Sequence, residues 1–270
     1  MSNTPHTKAV IAFFAIFFLS IQSYTLAEDG EVNTNPLLPS SISVSATYYD
    51  GYLANRINRL LTDEPSIWYQ VGLKWKSGLY FNWLEIHGTD DHDWSTDATD
   101  ETQVTLGHSW KIGKIDLKTE ATLINIHPIE RWFDNDRYSF DVYLSRTFNF
   151  KFYGDHVVTP ELRSLWFSDT QAIDKGVPII IPAVYHTWNK PLGVHFLAIQ
   201  SRLALCWDGG LKKNDSDGVF LQFETGLQCK VGKNAVITLL GYKLFSPLTE
   251  VNDGRDKTHG LFFSGMKYTF

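Results

Sequence analysis

Apolar and polar residues alternate along most of the chain beyond residue 40, in segments of about ten residues each. A repeat of two places successive side chains on opposite faces of an extended strand. The 3.6-residue repeat of an amphipathic helix is not found there. The pattern therefore predicts an all-β protein of about twelve strands. The predicted strands are Ile42–Leu53, Ser66–Lys76, Leu79–His87, Thr102–Ile112, Ile115–Ile126, Arg137–Phe150, His156–Phe167, Val177–Trp188, Val194–Trp207, Val219–Lys230, Ala235–Phe245 and His259–Phe270.

The connections between these strands alternate in length. Ser77–Gly78 and Gly113–Lys114 are tight turns, whereas Gly88–Glu101 and Asp208–Gly218 are long and polar. Tilted strands of about ten residues cross a bilayer, and barrels built from them have short turns on one side and long loops on the other. A soluble β-sandwich has no reason to sort its loops by length. The sequence thus predicts an antiparallel up-and-down transmembrane β-barrel with both termini on the short-turn side.

Most segments have one apolar and one polar row. Ile67, Tyr69 and Val71 form an apolar row, which a closed barrel turns toward lipid while the polar row faces the interior. In the third segment, Glu85 and His87 fall on the apolar row. That exception predicts a bulge or a rim position.

The chain ends on a strand whose apolar row includes Met266, Tyr268 and the terminal Phe270. This ending resembles the last strand of bacterial outer-membrane β-barrels. The resemblance implies that these three residues are the assembly signal read by the barrel-assembly machinery. It also implies a Gram-negative outer membrane, with lipid and lipopolysaccharide as partners.

The amino-terminus predicts export. The apolar run at residues 9–21 follows a leader whose only charged side chain is Lys8, and small residues precede a cleavage site after Ala27. A retained anchor is disfavoured, because a spanning helix needs about 20 apolar residues. We predict a signal peptide at residues 1–27, a periplasmic segment at residues 28–40 and the barrel at residues 41–270.

Charge and aromatic content narrow the possible partners. Removal of residues 1–27 leaves 23 basic against 30 acidic side chains, a formal net charge of 23 − 30 = −7. No basic cluster is present, so nucleic acid is not expected as a partner. The aromatic share of 14%, with nine Trp, fits the two interfacial girdles of a membrane barrel.

A second resemblance lies in the region of residues 64–126. Ser77-Gly78-Leu79-Tyr80 and Trp83, followed by Gly107 and Gly113, resemble the opening hairpins of a proteobacterial family of exported barrels classed as conserved hypothetical proteins. That family has no assigned substrate, so the resemblance implies place and fold only.

Charged residues of both signs fall on the inward rows. Asp141 is expected opposite Arg163, and Arg202 one diagonal from Glu224. The rows form either a network of ion pairs that fills the bore or a selectivity lining for a solute. The predicted lining residues are Lys74, Lys118, Glu120, Asp141, Glu161, Arg163, Arg202, Glu224, Lys243 and Lys267.

Two cysteines and two prolines add local predictions. Cys206 falls on an inward row and Cys229 on an outward one, so we expect two free thiols. Pro160 and Pro182 stand nearly opposite each other in adjacent predicted strands, where each removes a ladder donor. They predict either two tolerated bulges or a weak seam that opens laterally for an apolar ligand.

Signals of catalysis or metal binding are weak. Lipid-hydrolysing barrels place Ser and His on one strand face, but His108 and Ser109 are adjacent and so lie on opposite faces. The acidic loop from Asp90 to Glu101 does not match an EF-hand spacing. We expect no enzyme activity, cofactor or metal, with an outer-membrane lipid hydrolase as the minor alternative. The sequence favours a narrow passive channel for small solutes over a plugged structural or surface-interaction barrel.

Overall fold

A computed structural model describes residues 38–54, 59–62, 65–88, 101–125, 137–169, 178–208, 218–249 and 257–270. The predicted signal peptide, the acidic loop up to residue 100 and most other long loops lie outside these ranges. No helix in the described ranges is both long enough and apolar enough to cross a bilayer. The described elements are β-strands, apart from one 3₁₀ turn at Pro191–Gly193.

Twelve barrel strands form one closed antiparallel sheet, in which each strand pairs with its neighbour along the chain and the last, β15 (His259–Thr269), pairs with the first, β1 (Ser41–Tyr49). One barrel strand has two parts, β8 (Arg137–Ser145) and β9 (Phe148–Lys151), and a separate hairpin consists of β2 (Tyr52–Ala54) and β3 (Arg59–Thr62). The twelve-stranded all-β prediction is confirmed. The strands are β1 (Ser41–Tyr49), β2 (Tyr52–Ala54), β3 (Arg59–Thr62), β4 (Ser66–Lys74), β5 (Leu79–Gly88), β6 (Glu101–Ile112), β7 (Ile115–Asn125), β8 (Arg137–Ser145), β9 (Phe148–Lys151), β10 (Asp155–Asp169), β11 (Ile179–Asn189), β12 (Leu197–Asp208), β13 (Gly218–Val231), β14 (Ala235–Pro247) and β15 (His259–Thr269).

The lengths of the connections alternate as predicted. Two residues join β6 to β7 and three join β13 to β14, whereas twelve residues separate β5 from β6. The β2–β3 hairpin inside the first long connection was not predicted, because its strands are too short to show a repeat. By the convention of membrane barrels, the short turns mark the periplasmic end and the long loops the extracellular end.

Directly paired residues point to the same side of a sheet, so the register assigns one row of each strand to the inner wall of the barrel and the other row to the outer wall. The outward rows carry exposed large apolar side chains, such as Leu106, Phe140 and Leu203. β5 pairs with β4 without a register shift, so Glu85 and His87 face outward near the extracellular end. The rim interpretation of these two residues is therefore correct, and the bulge interpretation is wrong.

Among the described barrel strands the register shifts in β14, near Leu239, against both neighbours, and the separate β2–β3 hairpin has a shift of its own. The bulged seam predicted at Pro160 and Pro182 is absent, since β10 and β11 pair in continuous register. The two prolines are also one diagonal apart, because Pro160 pairs with Val184 and Pro182 with Leu162.

Candidate functional site

All ten residues that the sequence placed on the inward rows lie on inward rows of the barrel. Residues directly opposite them in the register include the buried Leu165, which pairs with Asp141, and Ala183, which pairs with Glu161. Six of the ten are basic and four are acidic, so the wall carries both signs with a small basic excess. The structure brings eight of the ten into two clusters and leaves two apart.

Glu120 is the centre of the first cluster, on β7. Its Oε1 accepts hydrogen bonds from the Tyr80 hydroxyl at 2.8 Å and from Lys118 Nζ at 3.1 Å, and its Oε2 accepts one from the Tyr143 hydroxyl at 2.6 Å. Gly107 separates Tyr80 from Glu120 in the register. A Cβ on Gly107 would lie 2.2 Å from the Tyr80 ring, so the tyrosine reaches the carboxylate only across a glycine.

Asp141 and Arg163 join this cluster through an ion pair. Arg163 Nη2 and Nε both lie 2.6 Å from Asp141 Oδ1, and Asp141 has no exposed surface. The predicted pairing is correct, but the predicted register is wrong, because Arg163 stands opposite Tyr143 and one diagonal from Asp141. A guanidinium is long enough to close that diagonal.

Glu224 and Lys243 form the second cluster, on β13 and β14, with Nζ 3.4 Å from Oε2. Arg202 stands directly opposite Glu224 in the register rather than one diagonal away, which corrects the predicted geometry. Its guanidinium instead donates to the Tyr185 hydroxyl at 3.1 Å and to Gln222 Oε1 at 2.9 Å. The Tyr185 hydroxyl in turn donates to Glu161 at 3.3 Å, which links Glu161 to this cluster.

Lys74 and Lys267 lie outside both clusters, on inward rows near the periplasmic ends of β4 and β15. Both residues are exposed, and neither forms an ion pair with another residue of the described ranges. The charged part of the wall is thus tightly paired at mid-height and open to solvent near the periplasmic end.

Sequence reasoning did not assign a role to the inward tyrosines, which hold the cations in place. Lys118 Nζ lies 3.7 Å from the centre of the Tyr143 ring, and the Arg202 guanidinium lies 5.4 Å from that of Tyr185. These are cation–π distances. The sequence signal for this role was a tyrosine on the polar row of a predicted strand, because a phenol can both stack against a cation and donate a hydrogen bond.

An apolar group on the inward rows of β10–β13 was also missed. Its members are almost fully buried and lie toward the extracellular half of their strands. Three consecutive isoleucines starting at Ile179 gave a signal for it, since any pleated strand must turn at least one of them inward. The members are Leu165, Ile179, Ile181, Ala183, Ala204, Cys206 and Phe220.

The remaining predicted residues divide between the two walls. His108 pairs with Leu79 on the outward face, whereas Ser109 faces inward and donates to the Gly78 carbonyl. This pair therefore cannot form a nucleophile and base on one face. Cys206 and Cys229 are both free, as predicted.

The C-terminal strand seals the barrel. The Phe270 amide donates to the Ile42 carbonyl at 2.8 Å, and Met266 is exposed on the outward row. A closed sheet leaves no unpaired strand edge in the hydrocarbon layer, and an apolar outer wall is suited to contact with lipid tails. Recognition of Met266, Tyr268 and Phe270 by an assembly machinery stays a prediction.

No family model matches the chain, and no curated protein sequence matches it. Among solved structures it is similar to LpxR from Salmonella typhimurium, with a TM-score of 0.50 and 8% identity over 85% of this chain and 99% of that one. It is also similar to the KdgM porin in complex with disordered oligogalacturonate, with a TM-score of 0.48 and 10% identity over 85% and 99% of the two chains. A third similarity is to the COG4313 outer membrane channel from Pseudomonas putida F1, with a TM-score of 0.48 and 13% identity over 90% and 100%.

At such low identity these likenesses concern the fold alone. The closed sheet, the apolar outer wall and the sorted turns agree with that fold. The chain therefore has the fold of a transmembrane antiparallel β-barrel, the fold of proteins that cross bacterial outer membranes.

Proposed function

We propose that this barrel is a narrow passive channel for small solutes, and that its two charged clusters line the narrow part of the bore. One observation carries the proposal. The side chains of Lys118 and Glu224 remain 36% and 35% exposed, although both belong to inward rows. Exposure of an inward charge means that solvent enters the barrel as far as that charge.

The pairing of charges supports a small bore with weak selectivity. Most lining cations have an acidic or tyrosine partner, so the wall presents alternating signs to a solute. Barrels of about eight strands are filled by side chains and those of sixteen have an aqueous channel, so twelve strands suit a narrow passage.

Single-channel conductance in a planar bilayer tests this proposal. The refolded protein is expected to give steady ohmic steps. Lys118→Gln removes one exposed lumen cation while Glu120 keeps both tyrosine donors, so the reversal potential in a KCl gradient should shift toward cation selectivity. Lys114→Gln removes the same charge from the exposed β6–β7 turn, and should leave the reversal potential unchanged.

A closed structural or surface-interaction barrel is the second candidate. The buried apolar group on β10–β13 favours it, because such residues on the inward rows narrow the extracellular half of the bore. Electrical silence from protein that shows the heat-modifiable gel migration of a folded barrel would support this candidate and contradict the channel.

We also infer two sets of contacts for the outer surface. The outward rows would contact membrane lipid and the long loops lipopolysaccharide. Met266, Tyr268 and Phe270 would bind the barrel-assembly machinery during insertion. A chain ending at residue 267 should then insert poorly in cells yet still fold in detergent.

A further inference from the structure

A groove of about 730 Å³ lies on the lipid-facing wall of the barrel, between Ile115 on β7 and Leu221 on β13, with most of its lining on β8, β10, β11 and β12. Its large side chains belong to outward rows, so it opens on the opposite side of the sheet from the charged clusters, although Glu161 of the second cluster also borders it. Leu144, Leu162, Val184, Leu203 and Leu205 are all well exposed there. A smooth barrel wall has no such depression, so the groove needs a local cause.

The two prolines supply that cause. The Arg146 amide donates to the Pro160 carbonyl at 3.2 Å, so the hydrogen-bonding side of Pro160 faces the β8–β9 strand. Pro160 cannot return an N–H, and the ladder is interrupted between Ser145 and Phe148.

Pro182 acts on the other flank. The amide of Lys190, just after β11, donates to the Leu197 carbonyl on β12. Alternate residues of an antiparallel strand bond to the same neighbouring strand. Pro182 lies an even number of residues before Lys190, so the N–H that it lacks would also have faced β12. Ile181 and Pro182 have no partners in the β11–β12 ladder. The groove therefore lies between two gaps that flank a regular β10–β11 pair.

A cation stands at the periplasmic end of the groove. Arg146 is exposed, lies 4.8 Å from the centre of the Phe148 ring, and forms no ion pair with another described residue. Its neighbour Ser145 pairs with Asp116, next to the β6–β7 turn, so Arg146 is near the periplasmic membrane surface. On the periplasmic side of Arg146, the outward row of β11 ends in His186 and Trp188. Both residues suit the interfacial belt of a membrane barrel.

We propose that this groove holds an acyl chain of an anionic phospholipid from the periplasmic leaflet, with the lipid phosphate on Arg146. An apolar depression with one polar group at its end is the common form of a small-molecule site. A guanidinium suits a phosphate, because its fork of donors matches the phosphate oxygens. The positive charge of Arg146 thus favours an anionic headgroup, and the depression beside the two prolines gives room for an acyl chain.

Native mass spectrometry of the full barrel, titrated with phosphatidylglycerol or with phosphatidylcholine of the same chains, tests this site. The wild type should retain one phosphatidylglycerol in preference to phosphatidylcholine. Arg146→Gln should weaken phosphatidylglycerol retention about tenfold, as expected for loss of a charge-assisted contact. Val184→Trp, which fills the groove, should weaken retention of both lipids.

Matched controls are Lys114→Gln in the β6–β7 turn and Leu240→Trp on the outer wall of β14, and both should bind as the wild type does. Equal retention of the two lipids by the wild type would mean a general lipid layer only and would overturn the proposal. So would unchanged binding in Arg146→Gln, or displacement of phosphatidylglycerol by equimolar lipid A. Heat-modifiable migration verifies the fold of each variant, and Arg146→Gln alone decides the headgroup if Val184→Trp does not fold.

Discussion

At the scale of single residues, the inner wall contains buried charged groups that depend on a partner of opposite charge. Asp141 has no exposed surface, so its charge depends on the Arg163 guanidinium. A buried carboxylate without a partner is strongly destabilising, whereas an exposed pair contributes little. The Lys190–Asp155 pair at the periplasmic ends of β10 and β11, at 2.9 Å and exposed, is the natural comparison.

Arg163→Ala should therefore lower the free energy of unfolding by about 3–5 kcal/mol, because it leaves Asp141 as an unpaired buried charge. Urea unfolding in lipid vesicles, followed by Trp fluorescence, measures the change. The double variant Arg163→Gln with Asp141→Asn should recover most of the loss, since two amides can pair. Lys190→Ala should have almost no effect, and a similar loss in both single variants would contradict the argument.

Residue types alone fixed which side chains share the inner wall, because the two-residue repeat sorts them. They did not fix the register between the strands. Arg163 was expected opposite Asp141 and stands opposite Tyr143, since the position of a turn shifts a whole ladder. The tyrosine donors to Glu120 come from strands far apart in the chain, and no local pattern specifies such contacts.

At the scale of strands, the prolines show that a missing donor acts on the neighbour it would have bonded. One of the two alternatives from the sequence placed a weak seam between Pro160 and Pro182, in the β10–β11 pair. That pair is continuous, and the gaps lie on its two outer flanks. The direction of each N–H alternates along a strand, and only the register of the folded sheet gives that direction.

Amide hydrogen exchange should follow this arrangement. Amides that bond across the β10–β11 pair should exchange as slowly as those of β6 and β7, whereas the Leu205 amide beside the Pro182 gap should exchange faster. Pro182→Val restores a backbone donor that faces the Leu205 carbonyl, so the gap in the ladder should close and exchange of the Leu205 amide should slow. Fast exchange along the whole β10–β11 pair would contradict the assignment of the gaps to its outer flanks and would support a weak seam between the two prolines.

At the scale of the molecule, closure is the decisive feature. β15 pairs with β1 over seven residues, so every barrel strand has two neighbours and the apolar rows together form one continuous outer wall. A wall of that kind is stable only against lipid or detergent, because water would face a large apolar surface.

A polypeptide of residues 28–270, without the predicted signal peptide, should therefore be monodisperse in detergent and aggregate when detergent is removed. In detergent it should also migrate differently on a gel before and after boiling, as a closed barrel does. Size-exclusion chromatography with and without detergent makes the comparison. A monodisperse species in plain buffer would contradict the membrane assignment and the proposed channel with it.

The sequence by itself determined the strands, their count, the sorting of turns and loops, and which face of each strand meets lipid, because all of these follow from a repeat of two and from local turn residues. The tertiary structure alone decided the register of the charged residues, the tyrosines that hold the cations, the buried apolar group and the groove beside the prolines. These features depend on register and closure, which bring together residues that are distant along the chain.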